Sequence, residues 1–251
     1  MRQRKQRLSQ GRFLAEGPGP IAEGLAAGRV EAVLATPEAA RQRPDLVASG
    51  WWRIGPGELA GLADTVHSAG LVAICRHRPG DWAELLAGDP KLVVVCAEAR
   101  DPGNVGTIIR CADAFGADAV VLTEGSVDPT NAKTVRASAG SIFHLPVVAP
   151  VGLDQALAGL RQAGLKLLAA DAGGGWELDQ LAADGGLSGP VAWLLGNEAR
   201  GLPEAARRAS DQLVRVPMWG RAESLNLAAA TAVCLYATAS AQRSGRPARL
   251  N

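Results

Sequence analysis

The sequence predicts an α/β protein: a parallel, doubly wound sheet from Lys91 onward, preceded by a small α/β unit of its own. Two observations predict it. Short apolar runs alternate with helical spacings through the second part of the chain, the pattern of βαβ units whose strands are buried on both faces. An apolar fraction of 47% over 251 residues is ample for a core, shared by one large domain or two smaller ones.

Taken in order, Met1 to Arg12 carries Arg2, Arg4, Lys5, Arg7 and Arg12 and no acid. This reads either as a solvated tail or as an arm that contacts phosphates. Phe13 to Gly17 starts the small unit. It continues with a helix over Ile21–Ala27, a strand over Val30–Leu34, helices over Glu38–Gln42 and Gly57–Ala63, and a strand over Leu71–Cys75. Trp51 and Trp52 beside Arg53 read as a partly buried corner or as a platform for stacked bases. Residues 1–75 therefore form one domain and 76–90 a linker, punctuated by Pro79-Gly80 and Asp89-Pro90.

From 91 to 251 the strands are Leu92–Ala97, Ala119–Leu122, Leu145–Val148, Leu165–Ala170, Val191–Leu195 and Gln212–Val216. Between them helices fall over Asn104–Phe115, over Lys133–Ile142 with Lys133, Arg136 and Ser138 exposed, over Leu153–Ala163 and over Pro203–Ala209. The last helix starts at Ser224, which suits an N-cap. Its apolar face is Leu225, Ala228, Ala229, Ala232, Val233 and Tyr236. Gly173-Gly174-Gly175 lacks the G-x-G-x-x-G spacing of a dinucleotide loop and reads as a flexible turn, so a nicotinamide enzyme is not expected.

Bulk properties exclude several classes. A net charge of +1 gives no global pull on nucleic acid, so a local patch must supply it. Cys75, Cys96, Cys111 and Cys234 form no CxxC pair and read as buried, reduced thiols. The scattered His67, His77 and His144 offer no metal site. No apolar core follows the basic N-terminus and no run reaches a membrane span, so a cytoplasmic protein is expected.

Three strand ends share one grammar: an apolar strand, then Gly with Asn, then charged side chains. They are Asn104-x-Gly106-x-x-x-Arg110, then Leu195-Gly196-Asn197-Glu198 with Gly201-Leu202, then Val216-Pro217-Met218-x-Gly220-x-x-x-Ser224-Leu225-Asn226. Ligands gather at such strand ends in open α/β sheets. In order and spacing these stretches resemble the signature motifs of the SpoU (TrmH) family of RNA ribose 2′-O-methyltransferases, of the SPOUT superfamily. The resemblance runs from Lys91 to the C-terminus. One departure is Ala228-Ala229, where relatives often carry a hydroxyl residue. The N-terminal stretch RFLAEGPGPIAEGL more weakly resembles the substrate-binding domain of longer members, a ribosomal-protein-like α/β fold that binds RNA.

The resemblance implies a deep trefoil knot over residues 189–236, a homodimer through the knotted domain, and S-adenosylmethionine as methyl donor. It implies RNA as the partner, ribosomal before transfer RNA, with no membrane and no metal. Gly196, Val216 and Leu225 match the donor-binding positions, and Met218 adds a soft wall. Asn104, Ser224 and Asn226 suit a hydroxyl and its neighbouring phosphates. Arg110 matches the arginine that the family's proposed mechanism uses, from the partner subunit, as base. A guanidinium stays protonated, so phosphate binding and stabilisation of developing alkoxide charge is the role read here. Glu198 orients Arg or Ser side chains at the dimer site or forms a plain salt bridge. Alternatives are a tRNA 2′-O-methyltransferase, an RNA-binding assembly factor without chemistry, and a base-methylating relative. The Ser224-Leu225-Asn226 element favours the ribose-modifying branch.

Overall fold

A computed structural model describes residues 3–62 and 69–243. Arg2 of the basic segment, His67 and the expected helix end at Ala63 lie outside the described residues. Contacts divide the chain into two compact units, neither continuous in sequence. The first holds the chain up to Pro79 together with Pro102–Arg110 and Asp128–Leu145. The second holds Gly80–Asp101, Cys111–Val127 and the chain from Pro146. The division falls inside the expected linker but also returns two later segments to the N-terminal unit. The reason is packing: Val135, Ile142 and Phe143 complete the apolar cluster around Phe13, Ile21 and Val33.

In the first unit, helix α1 (Arg4–Gln10) leads into strand β1 (Arg12–Glu16), α2 (Pro18–Ala26) and β2 (Val30–Ala35). Then come α3 (Pro37–Gln42), α4 (Pro44–Val47), β3 (Trp52–Arg53), α5 (Pro56–Leu62) and β4 (Leu71–Arg76). Proline opens α2, α3 and α4, where its missing N–H costs nothing. Thr36 caps α3 by accepting from the Ala39 N–H at 3.2 Å. The sheet order is β1-β4-β2-β3, antiparallel except for β2–β3. Alternation along the strands puts Phe13, Ala15, Val33, Ala35, Ala73 and Cys75 into one core. The expected tail is instead a helix, closed by Gly11 at φ 60°, a left-handed cap that favours glycine.

The remaining elements are α6 (Trp82–Ala87), β5 (Leu92–Cys96), α7 (Pro102–Phe115), β6 (Ala119–Thr123), α8 (Ala132–Ala137), β7 (Val147–Val151) and α9 (Leu153–Gln162). There follow β8 (Lys166–Ala170), β9 (Trp176–Glu177), α10 (Leu178–Ala183), β10 (Val191–Leu195), α11 (Glu204–Ala209), β11 (Gln212–Arg215) and α12 (Leu227–Arg243). The larger sheet runs β7-β6-β5-β10-β8-β11-β9 and is parallel throughout, as expected. Strand order reverses where β10 inserts between β5 and β8. One face carries Val93, Val95, Ala192, Leu194, Leu167 and Ala169 against Leu157, Leu160 and Ala206 of α9 and α11.

Several expectations need correction. The helix expected over Lys133–Ile142 stops at Ala137. Ala139 and Gly140 take φ 51° and 104°, which breaks it before a 3-10 turn at Ser141–Phe143. Ser138 is buried, not exposed, and donates to the Val135 carbonyl at 2.7 Å. The glycine run is a packed turn: a Cβ on Gly174 would lie 2.6 Å from the Leu213 carbonyl oxygen. It leads into edge strand β9 and helix α10, whose Leu178 and Leu181 are buried.

The last helix starts at Leu227, and its cap is Asn226, not Ser224. The Asn226 Oδ1 accepts from the Ala228 N–H at 2.9 Å and the Ala229 N–H at 3.4 Å. Its buried side is Ala228, Thr231, Cys234, Leu235, Thr238 and Ala239. Ala229, Val233 and Tyr236, expected inside, are exposed. Thr231 and Thr238 donate their hydroxyls to the Leu227 and Cys234 carbonyls, so they pack as small core residues.

Candidate functional site

The C-terminal ends of β6, β5 and β10 are stitched together. Glu98, just past β5, takes φ 54°, a costly conformation for a side chain with a Cβ. It is held from both sides. Its N–H donates to the Thr123 hydroxyl at 3.0 Å, and its carbonyl accepts from the Asn197 amide at 2.9 Å. Its carboxylate pairs with Arg200 at 2.8 Å. Backbone strain over-determined in this way gathers at working sites.

Asn197 organises the loop after β10. Its Oδ1 accepts from the Ala199 and Arg200 N–H groups at 3.0 and 3.2 Å. Its backbone exchanges two hydrogen bonds with Gly201, at 2.9 and 2.8 Å. The hairpin folds back so tightly that a Cβ on Gly196 would sit 2.3 Å from the Gly201 carbonyl carbon and the Leu202 nitrogen. Glycine at 196 is thus required by the loop itself, whatever else approaches it. Sequence reasoning quoted Asn197 within a motif but gave it no role, and it missed Glu98. The signal for Asn197 was its place directly after Gly196 at a strand end. Glu98 left no signal, because nothing in the sequence marks a positive φ at a glutamate.

Glu198 is exposed on this loop, and its charge reaches the end of β5. Burial first, and the Glu198 carboxylate second, push the Cys96 thiol up to about 12. The loop from Val216 to Asn226 is irregular and lies past the end of β11. Val216 is half-buried, whereas Met218, Ser224, Leu225 and Asn226 are exposed. Trp219 beside them is 89% exposed and Arg221 is exposed too. Met218 and Leu225, large apolar groups more than a third exposed, suit a wall for an apolar or aromatic ligand part. The irregular backbone between them offers donors and acceptors for a heterocycle. This chemistry fits the adenosine and the methionine chain of S-adenosylmethionine.

Helix α12 runs back along the sheet from Asn226. Trp193 at the centre of β10 donates its indole N–H to the Thr238 hydroxyl at 2.9 Å, both groups fully buried. At the far end Gln242 donates to the Lys91 and Gly189 carbonyls at 3.0 and 2.8 Å, at the N-terminal ends of β5 and β10. So α12 is fixed to the centre of β10 and to the segment that precedes it, the strand that leads into Gly196.

Asn104 and Arg110 sit on α7 in the first unit; Gly196, Glu198, Val216, Met218, Ser224, Leu225 and Asn226 belong to the second. Asn104 is half-buried in the first turn of α7, and Arg110 is exposed two turns on. The motif glycine between them has a packing reason. A Cβ on Gly106 would lie 2.4 Å from the Thr134 carbonyl oxygen and 2.6 Å from the Ala137 Cβ, so α7 crosses α8 in close contact. Among the described residues no group of His, Cys, Asp and Glu side chains is arranged to hold a metal ion. Among them no helix is long and apolar enough to cross a membrane.

Residues 91–236 match the SpoU rRNA Methylase family. The chain is 34% identical over 239 residues to the 23S rRNA (guanosine(2553)-2′-O)-methyltransferase RlmP of Bacillus subtilis, covering 93% of this chain and 90% of that protein. It is 32% identical to the 23S rRNA (guanosine-2′-O-)-methyltransferase RlmB of Bordetella pertussis, over 71% of this chain and 73% of that one. The fold superposes on the SpoU methyltransferase AviRb from Streptomyces viridochromogenes, in complex with AdoMet, with a TM-score of 0.82 at 29% identity, covering 97% and 95% of the two chains. With the family matched over residues 91–236 and a relative 34% identical along 93% of the chain, this protein belongs to the SpoU rRNA Methylase family.

Proposed function

We propose that this chain is an enzyme that methylates a ribose 2′-hydroxyl of structured RNA with S-adenosylmethionine as donor, acting on ribosomal before transfer RNA. The observation that carries the reading is the match over both units, 93% of the chain, to a protein named as a 23S rRNA 2′-O-methyltransferase. Bound S-adenosylmethionine supplies an electrophilic methyl on a sulfonium, whose C–S bond breaks as the C–O bond to the ribose forms. The Gly196 and Val216 backbones would hold the adenosine end, with Met218 and Leu225 as its apolar wall. Ser224 and Asn226 would position the ribose, and so would Asn104. Asn226 does this while its Oδ1 caps α12, which ties the site to the fold. Arg110 would take the neighbouring phosphate and stabilise the negative charge that develops on the attacking oxygen. Glu198 would orient an Arg or Ser side chain at the same site.

Two features of architecture belong to this reading. Residues 189–236 would form a trefoil knot, supported by the insertion of β10 between β5 and β8 and the return of α12 along β10. The exposed Ala229, Val233 and Tyr236 of α12 would face a second copy. The four-stranded N-terminal unit would handle the RNA, with the work done in the cytoplasm, where ribosomal RNA is. Calorimetric titration with S-adenosylmethionine, paired with single-turnover methylation by Arg110→Lys, tests the assignment. Donor binding near normal with turnover abolished is expected. No donor binding by the unaltered protein, or donor affinity falling in parallel with rate in the variant, contradicts it.

A further inference from the structure

The first unit carries a buried ion pair that the mechanism does not use. Arg7 of α1 and Asp128 meet at 2.5 Å with their side chains 7% and 5% exposed. The Arg7 Nε donates to Asp128 and to the Thr130 hydroxyl, both at 3.1 Å. The Thr130 hydroxyl and N–H both donate to the Asp128 Oδ1, at 2.7 and 2.9 Å. Burial alone would raise the Asp128 carboxyl, but hydrogen bonds from Thr130 and Arg7 outweigh it and hold it below the ordinary range. Burying such a pair is costly, and it is weak grounds for stability by itself. Here it fixes the orientation of a seven-residue helix that would otherwise fray. The exposed side of that helix presents Arg4 and Lys5.

The same neighbourhood concentrates positive charge. The α1 cap meets β4, where the His77 N–H donates to the Gly11 carbonyl at 2.7 Å. Arg12 and Arg76 stand directly opposite each other in the β1–β4 ladder, a like-charge pairing that destabilises a sheet. Arg78 follows, exposed. Arg29 is lowered from its ordinary value, by burial first, and both Arg78 and Arg76 push it the same way. Glu31 pairs with Arg12. In a chain of net charge +1, a cluster held together against its own repulsion is local and oriented.

We propose that α1 and the β1–β4 strand ends form one phosphate-binding surface for substrate RNA, through Arg4, Lys5, Arg12, Arg76 and Arg78, with the Arg7–Asp128 pair as the positioning device that docks α1. Duplex RNA suits this surface better than unstacked bases, since the groups are cations without an exposed aromatic among them. The inference rests on the proposed RNA substrate.

Filter binding of an in vitro transcript of bacterial 23S rRNA, over a series of KCl concentrations, reads it directly. Arg4→Gln with Lys5→Gln should flatten the slope of log affinity against log salt by about 1.4 to 1.8, two phosphates' worth, and Arg76→Gln with Arg78→Gln should do the same. Arg41→Gln with Arg208→Gln, two exposed positions outside the cluster, should leave it unchanged. Asp128→Asn, which frees α1, should flatten the slope as Arg4→Gln with Lys5→Gln does. Arg7→Met with Asp128→Leu, an apolar replacement of the pair, should restore it. Slopes unmoved by the cluster variants, or moved equally by the control pair, overturn the inference. So does a slope unchanged in Asp128→Asn. Circular dichroism and urea unfolding of each variant report folding. Methyl transfer to the same transcript, assayed alongside, separates failure of this surface from failure of the enzyme assignment.

Discussion

At the scale of single residues, the loops at the strand ends are held by groups outside the proposed chemistry. Asn197 joins two strand ends through its side-chain amide and closes its own loop through its carbonyl oxygen and backbone. Asn197→Ala leaves the Glu98 carbonyl and two loop N–H groups without these partners. A loss of about 1 to 3 kcal/mol is expected in urea unfolding, with a raised KM for the donor. An unchanged midpoint would mean the loop holds itself. The thiols give a pH prediction. Burial pushes Cys75 and Cys234 up to about 12, and burial with Glu198 does the same to Cys96. A raised thiol favours its neutral form, so its contribution to stability is complete below the unfolded pKa of about 8.5 and is lost as pH rises towards 12. At about pH 8 a chromogenic aromatic disulfide should therefore find Cys111, the half-buried one, first. Fast reaction of Cys96 or Cys234 in the folded protein counts against the burial described here.

At the scale of elements, the outcome depends on which contacts are local. Six of the seven strands of the larger sheet were legible as apolar runs, the central ones because parallel strands buried on both faces leave no other pattern, whereas the two-residue edge strand β9, with neither residue buried, left none. Helix α1 was not legible, since its anchor Asp128 lies 121 residues away. The face of α12 was misread because Thr231 and Thr238 count as polar until their hydroxyls are seen bonded to the preceding turn. Ser224 lost the cap because the helix begins two residues later than its spacing suggested, at Leu227, where the Asn226 Oδ1 accepts from the Ala228 and Ala229 N–H groups. The motif stretches follow β5, β10 and β11 as their apolar runs predicted, but the roles of Gly106 and Gly196 in close packing needed coordinates. The α7–α8 crossing provides a test. Gly106→Ala drives a methyl into the Thr134 carbonyl and should cost about 1 to 3 kcal/mol by urea unfolding, the usual toll of overpacking. An alanine tolerated within error would show that the helices part freely.

At the scale of the whole molecule, two units contribute different things. The parallel sheet brings Gly196, Glu198 and the Val216–Asn226 loop to the C-terminal ends of its strands, where α/β sheets receive ligands. The other unit contributes a mixed sheet, a docked basic helix and the segment of α7 that carries Asn104 and Arg110. The chain thus interleaves the two units in sequence, which is why a single boundary drawn between 76 and 90 does not reproduce the division. The most direct test of the central claim is to incubate the protein with unmodified 23S rRNA transcript and isotopically labelled S-adenosylmethionine, then digest the RNA with alkali. A ribose methylated at the 2′-oxygen cannot assist cleavage of its own phosphodiester. Label is expected in an alkali-resistant dinucleotide at a defined position. Label released with single nucleotides, as from a methylated base, or no label in RNA at all, would contradict it.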